Sequence, residues 1–138
     1  MAILVSYICV LVIFGAVDAC WLPLMGPILY RPTLADILTP NVRVAPAVVF
    51  YLSYAVGVVM FAVLPGLRTA AASNVFLSAL LFGGIAYGTY DLTNYATLRN
   101  WTLQITIIDI AYGALLSGIA GIAAYVLVRA TIGFPSML

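Results

Sequence analysis

The sequence predicts an all-α integral membrane protein, a four-transmembrane-helix bundle whose third and fourth helices form a tight antiparallel hairpin. Three observations predict it. The 138-residue chain is 66% hydrophobic and only 7% charged, with a mean hydropathy of +1.22, so lipid must solvate most of it. Four apolar runs each reach about 20 residues, the length that crosses roughly 30 Å of hydrocarbon. The segments between them collect the Pro, Gly, Asn and Arg residues that break helices or sit at membrane surfaces. Lipid offers backbone groups no water, and the runs lack barrel-type alternation, so helices are the only economical way across.

The elements follow in order. The first span covers residues 3–24, with Pro23 and Pro27 bending or ending it. Its start resembles a signal h-region, and Val17-Asp18-Ala19-Cys20 has the outline of a lipoprotein cleavage box. No Lys or Arg precedes it, however, and Asp18 stands where a small residue is required, so the segment is read as a retained helix. A long loop, residues 25–44, then holds Pro27, Arg31, Pro32, Asp36, Pro40, Asn41 and Arg43, with room for a short interfacial helix over 33–38. The second span is 45–64. Pro65-Gly66-Leu67-Arg68 follows as a loop, with Ser73 or Asn74 capping the third helix. The third span is 74–95 and the fourth 103–128. The connector Arg99-Asn100-Trp101-Thr102 is short enough to force an antiparallel pair. Residues 1–138 are thus read as a single four-helix domain. Trp21 and Trp101 are expected to anchor one membrane interface, and Tyr125, Arg129 and Phe134 the other.

Charge narrows the function. Every acid is Asp and every base is Arg; Lys, Glu and His are absent. That excludes His-ligated haem or zinc and a catalytic histidine. No basic cluster invites nucleic acid, and no cofactor is expected; the residues alone do not decide whether a metal binds. Cys9 and Cys20, eleven apart on one helix, would lie about 16 Å from each other, too far for a disulfide.

Depth is the most informative feature. Let face A carry both termini and face B be opposite. Asp18 and Asp91 come near the B ends of the first and third helices, and Asp109 sits roughly 10 Å below face B on the fourth. Tyr51 and Tyr54 of the second helix fall at the same level. Tyr87, Asp91 and Asn94 share an arc of about 60° on the third helix. These seven residues are the candidate ligand-binding set. A carboxylate at hydrocarbon depth costs at least about 2.5 kcal/mol, so three of them require hydrogen bonds, protons, a cation or water. The ladders Ala79/Gly83 and Gly113/Ser117/Gly121 suit close helix packing toward face A. Two arginines on A against three on B leave orientation unsettled by charge.

Several blocks also resemble a known family. They are residues 17–22, 50–57, 61–65, the stretch 83–94 with its Tyr90-Asp91-Leu92-Thr93-Asn94 core, 96–98 with Trp101, and 108–113. Together the chain resembles the small bacterial predicted membrane proteins grouped as domain of unknown function twenty-one seventy-seven. It departs from them at Tyr112, where Trp is expected, and in an N-terminus without Lys or Arg. The resemblance implies a four-helix bacterial inner-membrane protein. The balance favours cytoplasmic termini, and the likeness implies no activity.

Three functions compete. The first is a binding or transport module in which Asp18, Tyr51, Tyr54, Tyr87, Asp91, Asn94 and Asp109 line a pocket for a small polar or cationic solute, or carry protons. Four helices are few for alternating access, so transport would call for a homodimer, with the Gly113/Ser117/Gly121 face as its seam. The second is a structural subunit of a larger membrane assembly. The third, a lipid-modifying enzyme, lacks a nucleophile motif and an Asp-rich metal signature.

Overall fold

A computed structural model describes residues 1–133; Phe134, assigned above to the A-side interface, lies outside them. The regular structure among the described residues is all helical, with no strand among them. Four helices are long and apolar enough to span a membrane: α1 (Ala2–Leu34), α2 (Val44–Thr69), α3 (Ala72–Thr97) and α4 (Leu103–Ile132). Their outward faces carry residues such as Ile3, Val12, Val49, Leu81, Ile85 and Ile119, all exposed as lipid-facing side chains should be.

Two stretches read as loops are helix, and proline chemistry explains both. A proline cannot donate to the carbonyl four residues back, so an uninterrupted α ladder fails there. Here the ladder widens instead of ending. Gly26–Tyr30 is a π turn in which the Arg31 amide donates to the Gly26 carbonyl, five residues back, directly before Pro32. Val59–Val63 repeats the device, the Leu64 amide reaching the Val59 carbonyl directly before Pro65. Helix α1 therefore runs on to Leu34 rather than ending near Leu24. The expected interfacial helix over 33–38 is replaced by turns closed on the Leu34 carbonyl. Helix α2 likewise passes through Pro65-Gly66-Leu67-Arg68 to Thr69. The reversal falls at Ala70, whose φ of 54° is left-handed, and Ala71 rather than Ser73 or Asn74 stands at the N-cap of α3.

At about 1.5 Å per residue, α1 is roughly 50 Å long, well beyond the hydrocarbon thickness. Its surplus turns lean over the start of α4, where Leu29 and Leu34 pack with Trp101 and Ile105. The larger core lies toward face A, around Val10, Phe14, Val58, Val63, Val75 and Leu116.

The α3–α4 hairpin is the closest pairing. Residues 98–102 connect its arms, and the Thr102 hydroxyl accepts from the Ile105 amide at 3.2 Å to cap α4. Small residues bring the backbones together. A methyl on Gly121 would lie 2.8 Å from Ala79 Cβ, and one on Gly83 would strike Ser117 and the Gly113 carbonyl. The Gly113/Ser117/Gly121 ladder is thus spent inside the chain. It is not available as the dimer seam expected from the sequence. Cys9 and Cys20 are both free.

Candidate ligand site at the B end

The site begins with Asp18, buried about midway along α1. Its two oxygens are held from different helices. The Tyr51 hydroxyl of α2 donates to one at 2.7 Å, and the Tyr112 hydroxyl of α4 donates to the other. Asp109 of α4, also buried, accepts from the Tyr30 hydroxyl. Tyr30 in turn accepts from Trp21 Nε1 at 3.1 Å, and the Trp21 ring stacks on Tyr112 with centroids 3.9 Å apart and planes at 14°. Two hydrogen-bonded groups, Tyr51–Asp18–Tyr112 and Trp21–Tyr30–Asp109, are thus joined by the Trp21–Tyr112 ring stack. Charge-assisted bonds of this kind offset part of the cost of burying a carboxylate. Their donors are phenols, not the arginines of face B.

These groups wall a cavity of about 650 Å³, the size of a small-molecule site. Of the seven residues selected from sequence, Asp18, Tyr51, Tyr87, Asn94 and Asp109 line it. The other two do not. Tyr54 turns toward face A, where its hydroxyl donates to Ser117 Oγ at 2.7 Å while Ser117 donates to the Gly113 carbonyl at 2.6 Å. Asp91 lies behind the wall, 0% exposed, and neither of its carboxylate oxygens has a hydrogen-bond partner. Of the two polar residues that share an arc on α3, Asn94 reaches the cavity and Asp91 stands behind its wall.

Both tryptophans expected at the B-side interface line the cavity, and Trp101 is buried with its Nε1 unpartnered. Trp21, Tyr30, Arg31, Tyr90 and Tyr112 also line the cavity, beside aliphatic residues such as Leu22, Leu34 and Val42, and were absent from the sequence-selected set. A signal existed for two of them. Trp21 follows Asp18 by three residues, and Tyr112 follows Asp109 by three, so each shares its aspartate's helix face. Tyr30 was hidden because its proline-flanked segment reads as loop. Among the described residues, no group of three or more His, Cys, Asp or Glu side chains is placed to hold a metal ion.

The Tyr112 hydroxyl can be tested directly. Tyr112→Phe deletes a hydrogen bond to a buried carboxylate, a loss of roughly 1.5–3 kcal/mol. A lower melting temperature in detergent, with altered Trp21 emission, is the expected result. An unchanged melt would show that the bond contributes nothing.

Fold and site together define a multi-pass membrane protein with a polar, aromatic-walled cavity at one end of a four-helix bundle. The chain belongs to the family described as predicted membrane protein (DUF2177), whose model matches residues 3–126 and so takes in all four helices and every residue of the site. No curated protein and no solved structure matches it.

Proposed function

We propose that the B-end cavity binds a small polar or cationic solute, with an organic cation as the best fit. The observation that carries this reading is the placement of two acids, Asp18 and Asp109, against a single base, Arg31, in a wall that also presents Trp and Tyr rings among aliphatic side chains. Aromatic faces attract cations, more strongly where water is thin, and carboxylates supply the countercharge. Trp21, Tyr30, Tyr51, Tyr87, Trp101 and Tyr112 provide the faces. Passage of the solute or of protons across the membrane is the transport form of the same proposal. The family likeness supports setting the chain, as one domain, in a bacterial inner membrane; cytoplasmic termini are the orientation proposed with it.

The test uses the chain's own reporters, since both of its tryptophans line the cavity. Tetramethylammonium is expected to change the emission saturably, and Asp18→Asn with Asp109→Asn to weaken it at least about tenfold, as loss of two desolvated charges requires. A response identical in the double variant would defeat the proposal.

A second reading has one observation behind it. The bonds from Tyr51 and Tyr112 to Asp18, and from Tyr30 to Asp109, tie α1 to α2 and α4. Such ties also suit a structural subunit of a larger assembly, in which the acids only fix helix packing. That reading expects no ligand response and a stoichiometric partner on purification.

A further inference from the structure

A second cavity, about 310 Å³, adjoins the first and is lined by Phe50, Ala86, Tyr87 and Tyr90. Tyr87 and Tyr90 belong to both walls, so two rings separate a polar chamber from an apolar one. The apolar chamber lies between α2 and α3 on the outside of the bundle: Phe50 is 45% exposed and Tyr90 59%. In a bilayer that surface faces acyl chains, not water. The two helices meet closely only deeper, where Phe82 of α3 packs on Phe61 and Tyr54 and fills the space over Gly57. Toward face B they part, and the rings of Tyr87 and Tyr90 stand in the gap. On the inner side lie Asp18 and Asp109, with Arg31 in the same wall.

The geometry points to an amphiphile as the ligand: an ammonium-type head in the polar cavity, with an apolar tail leaving the bundle between α2 and α3 across Tyr87 and Tyr90. This rests on the cation reading of the same cavity and adds a route from the lipid. A water-soluble cation has no use for an apolar chamber that adjoins its site and opens sideways. A membrane-dissolved amine needs both, because its head must find countercharge without its chain leaving hydrocarbon.

The experiment compares tetramethylammonium with dodecyltrimethylammonium, read by tryptophan emission of the purified full chain in maltoside micelles. The variants are Ala86→Phe, which fills the apolar chamber, and Ile85→Phe, which adds the same ring at the neighbouring lipid-facing position, 61% exposed. In wild type the long-chain cation is expected to bind at least about tenfold more tightly, the gain from burying a few methylenes. Ala86→Phe should remove that advantage, Ile85→Phe should keep it, and all three proteins should bind tetramethylammonium alike. Phe50→Ala, which strips one wall without adding bulk, serves as the second variant if Ala86→Phe does not fold, and should also lose the advantage. A chain-length advantage equal in wild type and in the groove variants would overturn the tail route while leaving the cavity proposal standing. Absence of any saturable response to either cation would instead remove the cavity proposal itself, and the tail route with it.

Discussion

Gly83→Val is expected to prevent the α3–α4 hairpin from forming. The helix backbones meet at this point, and a Cβ on residue 83 would run into the Ser117 side chain and the Gly113 carbonyl. A flexible side chain can swing aside, but a helix carbonyl cannot move without its helix. Overpacking a rigid contact costs about 1–3 kcal/mol for a modest intrusion, and a β-branched side chain against backbone belongs at or beyond the upper end. The loss spreads further. Ser117 also accepts from Tyr54, which packs on Phe14 of α1 with ring centroids 4.7 Å apart, so a displaced Ser117 loosens α1 and α2 as well. Gly84 is the internal control. A methyl there would find Ala114 Cβ at 3.6 Å, an ordinary contact, so Gly84→Ala should melt like wild type. Monodisperse yield from detergent and the thermal transition by circular dichroism read both variants. A wild-type melt for Gly83→Val would show that the hairpin is not packed backbone to backbone.

The four spans and the hairpin were legible because hydropathy and breaker spacing are local properties. The common depth of Asp18 and Asp109 was legible for the same reason: helix rise converts residue count into height. Height alone does not say which way a side chain points. Asp91 has the right depth but sits behind the wall, and Tyr54 turns toward Ser117, because packing chose their directions. The missed Tyr30 has a different cause. Prolines at 27 and 32 signal a break in any local reading, yet the chain absorbs the missing donor with a π turn and keeps its direction. That choice depends on Leu29 and Leu34 finding Trp101 and Ile105, residues some seventy positions away. That Trp21 and Trp101 line the cavity was not legible for a related reason, since amphipathic rings suit a headgroup layer and a wet cavity equally well.

Asp91→Leu is expected to make the protein more stable, whereas Asp18→Leu should make it less so. The two carboxylates are both buried, so exposure does not separate them; their partners do. Asp18 accepts from phenols of α2 and α4, and its loss would strand both hydroxyls, each at about 1–3 kcal/mol. Asp91 accepts from nothing, so nothing is stranded when it goes. Removing it relieves a desolvation cost of about 2.5–3.5 kcal/mol. Leucine keeps the branched shape, so after some crowding a net gain of roughly 1–3 kcal/mol is expected, in the manner of buried ionic groups replaced by apolar ones. Paired melts of the two variants in one detergent decide the matter. If Asp91→Leu falls as far as Asp18→Leu, then Asp91 is satisfied by water or a neighbouring group, and its burial carries no stability penalty. If it rises, the chain maintains a costly unpaired acid behind the cavity wall, within electrostatic range of Asp109. A bundle held only by packing has no reason to keep a group that weakens it. A site that holds positive charge, as proposed above, would have such a reason.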